Sequence, residues 1–227
     1  MARDDGSVAG SRSRTVPKLH NTLEARDGMS RWERRQYKLP EKHGWTAREG
    51  YNVFVADRGA LRLDFPADWV VKPAEASIRF HDREPPDDRC CIEVSYVRLS
   101  PIDWSGLLLR ELLKAACQAE GQVIGDDEIA QTVRADLELV WAEYSRIDPA
   151  EKRPAFHRIC MARTTNAMLP HPRRKKARIV AQPIIQALLT AAYWPEDAAW
   201  FHPVWDEVLR SLQLGIMIPS PAGPTRH

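Results

Sequence analysis

Residues 184–214 read IIQALLTAAYWPEDAAWFHPVWDEVLRSLQL and predict a buried strand followed by a helix. Successive side chains of an extended chain point to opposite faces, and the first part of this stretch is apolar on both faces apart from Gln186 and Thr190. Such a strand needs cover on both sides. After the break at Pro195, apolar residues recur at helical spacing up to Gly215. The stretch therefore predicts a central strand and a helix that packs on its sheet.

The composition suits one globular domain with appendages: 227 residues, 44% hydrophobic and 28% charged. A net charge of +2 is too small to imply a polyanionic partner by itself. The sequence contains neither a signal-peptide pattern nor an apolar run of about 20 residues, so we expect no membrane contact and a cytoplasmic location. The four cysteines lack zinc-ligand spacing, which predicts reduced thiols and no metal.

The composition also changes along the chain, and these changes predict the domain organisation. Residues 1–28 are polar without a sustained period, so we expect disorder there. Residues 29–52 form an aromatic and basic arm that we expect to pack on the domain, which spans residues 53–214. The domain carries a basic loop insertion, and a Pro-rich irregular tail follows it. The bounds are 166–178 for the loop and 215–227 for the tail.

Between the arm and the central strand, alternating patterns predict antiparallel strands and one long helix. The helix is expected to begin near Ser100 and to end at Gly121, with one apolar stripe against the sheet. The predicted stripe comprises Trp104, Leu108, Leu112, Ala115 and Ala119. Residues 137–147 and 155–164 read as two strands of a hairpin.

The order of these elements resembles the PsbP-like family, which includes DcrB-like bacterial proteins and a Ran-binding factor. Two segments carry the resemblance: LRLDFPADW at residues 61–69 looks like the family's opening strand and turn, and PVWDEVLRSLQL at residues 203–214 like its closing helix. The resemblance implies an α/β (α+β) fold, an antiparallel β-sheet with helices on both faces. It also implies binding or accessory roles rather than catalysis. We carry over no functional residues, because the matching positions are packing positions.

Two surfaces are candidates for binding a protein partner. The first is the aromatic arm, with Trp32, Tyr37 and Trp45 in a polar context. The second is the basic run of the loop. Its residues are Arg173, Arg174, Lys175, Lys176 and Arg178. Contact of this run with nucleic acid is the less favoured interpretation, because no aromatic side chains are interleaved for base stacking.

Catalytic signatures are absent from the sequence: no dinucleotide-binding, P-loop, metalloprotease or hydrolase motif occurs. Two weaker constellations leave an enzyme as the alternative. His202 and Asp206 stand at i, i+4 spacing near the last helix, and the acidic loop 81–88 gathers oxygen ligands and one imidazole. Helix-start charges and a solvated turn are the favoured explanations of the two. We therefore expect a non-catalytic binding or accessory module without cofactor, whose partner the sequence does not name.

Overall fold

A computed structural model describes residues 45–100, 102–165 and 184–216 with their side chains. It also describes the backbone of four short strands outside those ranges. The expectations for residues 1–19 and for most of the tail fall outside the described residues.

An antiparallel sheet of seven strands forms the centre of the fold. In spatial order its strands are β5 (Val70–Pro73), β6 (Ile78–His81), β7 (Cys90–Leu99), β13 (Ile184–Tyr193), β10 (Pro154–Thr164), β9 (Leu137–Ile147) and β8 (Ala130–Val133). The predicted central strand is confirmed, because β13 is the fourth of the seven and pairs with β7 and β10 along its length. The predicted hairpin is confirmed as β9 and β10.

One face of this sheet packs on helix α2 (Ala198–Ser211) and on a second sheet. In spatial order the second sheet contains β14 (Gln213–Leu214), β4 (Leu61–Pro66), β3 (Tyr51–Ala56), β1 (His20–Arg26) and β2 (Met29–Arg35). Phe54, Phe80 and Trp205 are almost fully buried in the core between these layers. The helix therefore lies where the two-sided apolar strand requires cover.

The opposite face packs on helix α1 (Leu109–Ala119). Val140 and Leu139 are adjacent in β9 but belong to the cores on opposite faces, since side chains alternate across a strand. The predicted fold class, an antiparallel sheet with helices on both faces, is confirmed. The sequence did not separate the second sheet from the first.

The predicted stripe of α1 was wrong by one residue. The buried residues are Leu109, Leu113 and Cys117, whereas Leu108 is 58% exposed and Ala115 is exposed. The helix also begins at Leu109, nine residues after the predicted cap. The preceding segment follows an irregular path, in which the carbonyl of Leu107 accepts a hydrogen bond from the Arg163 guanidinium of β10 at 2.7 Å.

The four strands described by their backbone alone form two pairs. Strand β1 lies within the segment 1–28, for which the composition predicts disorder, and it pairs with β2 of the arm. Strands β11 (Met168–Pro170) and β12 (Ile179–Ala181) pair antiparallel as a separate two-stranded sheet, and the basic run lies between them in the sequence. Strand β11 therefore lies within the range of the predicted loop insertion, 166–178.

Candidate functional site

An open groove of about 370 Å³ lies where the two sheets meet the first turn of α2. Its walls come from three parts of the chain: the paired ends of β3 and β4, the loop between β6 and β7, and the start of α2. The groove is lined by Tyr51, Pro66, Asp68, Trp69, Asp82, Arg83, Arg89, Trp200 and Val204. Aromatic and charged groups therefore share one concave surface, as in many ligand sites.

Two tryptophans form the apolar wall of the groove. Trp69 and Trp200 pack edge to face, with ring centroids 6.4 Å apart and an interplanar angle of 80°. The indole N–H of Trp200 donates to Oδ1 of Asp197 at 3.0 Å, and Asp197 is only 2% exposed. This hydrogen bond fixes the Trp200 ring at the beginning of the helix, so the aromatic wall exists before any ligand arrives.

Two guanidinium groups, those of Arg83 and Arg89, form the charged wall, and one buried carboxylate organises them. Asp82 Oδ1 accepts the backbone N–H groups of Arg89 at 2.7 Å and Cys90 at 3.1 Å. Its Oδ2 lies 3.2 Å from Nε of Arg83 and 3.8 Å from Nε of Arg89. Arg89 also contacts Asp197 at 3.1 Å and lies over the Trp200 ring at 5.8 Å. Both arginine side chains remain about half exposed.

These contacts also describe the acidic loop 81–88, which the sequence analysis considered as a cation site. His81 Nδ1 lies 2.8 Å from Asp88 Oδ2, and Asp82 holds the backbone on the other side of the loop. Among the residues with described side chains, no group of three or more His, Cys, Asp and Glu converges as a metal site would require. The loop's carboxylates therefore stabilise its conformation and position the two arginines.

The His202 region has a different arrangement from the one that the spacing suggested. Nε2 of His202 lies 3.0 Å from the Tyr193 hydroxyl and 3.8 Å from Glu143, rather than against Asp206, within the described contacts. Tyr193 O–H and Arg158 Nε both donate to Glu143 Oε2 at 2.5 Å.

The charge state of this cluster follows from its contacts. Burial raises the pKa of the Glu143 carboxyl, but the hydrogen bonds from Tyr193 and Arg158 outweigh it, so the pKa is below its ordinary value. Burial, helped by the bond to Glu143, raises the pKa of Tyr193. Glu143 is thus held ionised by a guanidinium, and the cluster lies outside the groove.

The site residues predicted from the sequence are mostly not in the described part of the chain. Trp45 is described and partly buried, whereas only the backbone of Trp32 is described, in β2. Tyr37 and the basic run Arg173, Arg174, Lys175, Lys176 and Arg178 lie outside the described residues.

The groove itself was missed by the sequence analysis. Trp69 is 8% exposed and so resembles an ordinary core residue, and the sequence pattern assigned no role to Trp200. The available signal was a pair of arginines, Arg83 within the acidic loop and Arg89 directly after it.

Sequence comparison places this chain in a family. The model of the Alr1449 family matches residues 52–169 and 171–218, which include every lining residue of the groove except Tyr51. The chain belongs to the Alr1449 family. It is 37% identical over 193 residues to the uncharacterized protein alr1449 of Nostoc sp. PCC 7120, covering 84% of this chain and 91% of that protein.

Solved structures resemble this Alr1449-family chain only distantly. LpqN of Mycobacterium tuberculosis, involved in cell envelope biogenesis, is 12% identical with a TM-score of 0.43 and covers 69% of this chain and 85% of its own. Cyanobacterial PsbP (CyanoP) of Synechocystis sp. PCC 6803 is 9% identical with a TM-score of 0.39, covering 74% and 94%. A Bacteroides thetaiotaomicron protein is 10% identical with a TM-score of 0.41, and the match spans 68% of this chain but only 45% of that one. Likenesses this distant carry no functional argument.

Among the described helices, neither reaches the length and apolarity that a membrane span needs.

Proposed function

We propose that this Alr1449-family protein is a non-catalytic binding module that recognises a protein partner through the groove between Trp69, Trp200 and the two loop arginines. One observation carries the proposal: tryptophan, tyrosine and arginine side chains line one open concave surface, and the two arginine side chains are about half exposed. These are the residue types that contribute most binding energy at protein interfaces.

The groove is also organised in advance of binding. Trp200 is fixed by Asp197, and Arg89 is fixed by Asp82, Asp197 and the Trp200 ring. Side chains that are already ordered lose little entropy when a partner binds, so more of the contact energy appears as affinity. A partner segment that packs an apolar side chain against the two tryptophans gains both the contact and the pre-existing order.

The predicted arm leads directly into this surface. Tyr51, the first residue of β3 and part of the predicted arm, lines the groove, and the Arg48 guanidinium lies over the Tyr51 ring at 5.7 Å. The aromatic arm and the basic loop remain part of the proposal as additional contact surfaces. Binding by the arm would enlarge the interface without a new pocket.

The enzyme alternative has less support from the geometry. Asp82 is the acidic-loop carboxylate that reaches the groove, and its oxygens already accept or face four donor groups. A carboxylate engaged in this way is a poor general base, because its lone pairs are occupied and its charge is compensated.

The location of the protein and its kinship belong to the same proposal. The four cysteines are free in the structure, which supports a reducing compartment such as the cytoplasm. The PsbP-like kinship is supported by its two signature segments, because residues 61–66 form β4 and residues 203–211 of the closing segment lie in α2, as the resemblance implies.

The test is capture of partners from native lysate at low salt with the tagged protein and two tryptophan variants. Trp200→Ala removes the groove wall. Trp194→Ala is the matched control, because Trp194 is also partly buried and stacked by a guanidinium, that of Arg153 at 3.8 Å, but lies outside the groove. We expect the wild type and Trp194→Ala to capture one protein in stoichiometric amount. Trp200→Ala should capture at least tenfold less of that protein. Equal recovery by all three proteins, or no stoichiometric protein at all, would refute the proposal.

A further inference from the structure

We propose that the groove recognises an acidic side chain of the partner, held between Arg83 and Arg89, beside an apolar or aromatic side chain held against Trp69 and Trp200. This inference rests on the proposed function and specifies the chemistry that the groove selects. It requires that the two guanidinium groups are both fixed and available, and that the groove has one anion-binding end.

Asp82 brings the two guanidinium groups together. Its Oδ2 faces Nε of both arginines, and its side chain is only 6% exposed, so the carboxylate is an internal anchor. Without this anchor, two like charges on one short loop would repel each other and diverge. With it, they stand side by side on the solvent-facing surface.

The anchoring contacts leave most of the hydrogen-bond donors available. Each guanidinium has about five N–H donors. The contacts to Asp82 and Asp197 involve only Nε of Arg83 and Nε and one terminal nitrogen of Arg89. Planar guanidinium groups with free terminal nitrogens match the two oxygens of a carboxylate, and a fixed guanidinium loses less entropy in making that pair.

The walls of the groove carry charges of different sign, which orients the bound segment. Arg83 and Arg89 lie on the wall made by the loop between β6 and β7. Asp68 lies on the wall made by the ends of β3 and β4. Burial is the largest cause that raises the pKa of the Tyr51 hydroxyl, and the Asp68 carboxylate adds a smaller contribution in the same direction. An acidic group is therefore attracted to the loop wall and repelled from the wall that carries Asp68.

The aromatic wall lies beside the anion-binding end, because Arg89 stacks on the Trp200 ring. An acidic residue and an apolar residue adjacent in a partner chain can therefore be bound together. The apolar residue gains contact with two fixed indole rings, and the acid gains two charge-assisted pairs. A neutral segment of the same shape gains only the first.

The experiment uses two synthetic tetrapeptides blocked at both ends, Gly-Asp-Phe-Gly and Gly-Asn-Phe-Gly, titrated into the full-length protein labelled with nitrogen-15. They differ only in the negative charge. Binding is followed by the NMR shift of the Trp200 indole N–H, whose signal is assigned from its loss in Trp200→Ala. We expect both peptides to shift this signal, with a Kd at least fivefold lower for the aspartate peptide at low salt.

Three variants locate the charge. Arg83→Gln removes a guanidinium with a single anchoring contact, so the loop keeps its other bonds, and we expect it to reduce the difference between the peptides to less than twofold. Asp68→Asn should strengthen binding of the aspartate peptide, because it removes a like charge. Arg79→Gln is the control. Arg79 lies on β6 outside the groove, is as exposed as Arg83, and its guanidinium pairs with the Glu93 carboxylate at 2.9 Å. The Kd values of this variant for both peptides should match those of the wild type.

Equal affinities for the two peptides, a difference that survives Arg83→Gln, or no shift of the Trp200 signal would each overturn the inference. These outcomes are separable from failure of the proposed function. If Trp200→Ala loses the captured partner while Arg83→Gln retains it, the groove is a binding site that does not select an acidic residue.

Discussion

Replacing Leu113 by alanine is the sharpest test of how α1 docks on the sheet. Leu113 is fully buried between α1 and the strands β9 and β10, whereas Leu112 is only partly buried beside it. The Leu113 change removes about three methylene equivalents, worth about 2.4 kcal/mol at about 0.8 kcal/mol each. The cavity left behind raises the expected loss in free energy of unfolding to about 3–5 kcal/mol.

The comparison with Leu112→Ala makes this prediction specific to the register. Both positions lie inside the helix, so the gain in helix propensity is the same and cancels. Leu112→Ala should cost about 1–2 kcal/mol, since only part of its surface leaves water. Leu108→Ala, at an exposed position before the helix, should stay within about 0.5 kcal/mol.

The assay is urea unfolding followed by circular dichroism, supported by the melting temperature. For a chain of this size a loss of 3–5 kcal/mol corresponds to a melting temperature lower by about 6–20 °C. The register would be refuted if Leu112→Ala or Leu108→Ala destabilised the protein as much as Leu113→Ala. That result would instead fit the stripe through Leu108 and Leu112 that the spacing predicted.

Three further outcomes can be checked with similar measurements. Because the pKa of Glu143 is lowered, its ionised form stabilises the fold at pH above the ordinary pKa of 4.5, and this contribution is lost as the pH falls below that value. Glu143→Gln should therefore lower the free energy of unfolding, measured in urea, by about 1–3 kcal/mol at pH 7, and this loss should shrink toward zero at pH 3. A loss that does not change with pH would contradict the prediction. Arg62→Met should cost about 3–5 kcal/mol, because it leaves the carboxylate of Asp64, 1% exposed, without its ion-pair partner; a loss below about 1 kcal/mol would show that the pair is not buried. Burial raises the pKa of the Cys160 thiol and brings that of Cys91 to about 12, so the native protein should resist Ellman's reagent at pH 8 and react fully only when unfolded.

The central strand and the last helix were predictable because their patterns admit one interpretation. A strand that is apolar on both faces is stable only between two covering layers, and β13 has α2 on one side and α1 on the other. The register of α1 was less determined. Leu108 and Leu112 form one candidate stripe, and Leu109 and Leu113 form another that is rotated by about 100°. Both are equally apolar, so the sequence pattern does not choose between them.

The structure chooses through contacts that are distant in sequence. The Arg163 guanidinium on β10 binds the carbonyl of Leu107, and this contact accompanies an irregular path up to Leu109. Helix propensity and spacing are properties of a local segment, whereas this hydrogen bond joins positions 56 residues apart. The docking of the helix is therefore a tertiary property.

The sequence by itself determined the class of the fold, the centre of its main sheet, the hairpin of β9 and β10, and the helix that follows the central strand. Each of these follows from short-range periodicity, which records whether one or both sides of an element are buried. The groove was decided only by the tertiary structure. Trp69, Asp82, Arg89 and Trp200 come from three separate segments, and the two sheets and α2 bring them together. Their shared carboxylate contacts and edge-to-face rings depend on distances in space, which no local pattern of residues encodes.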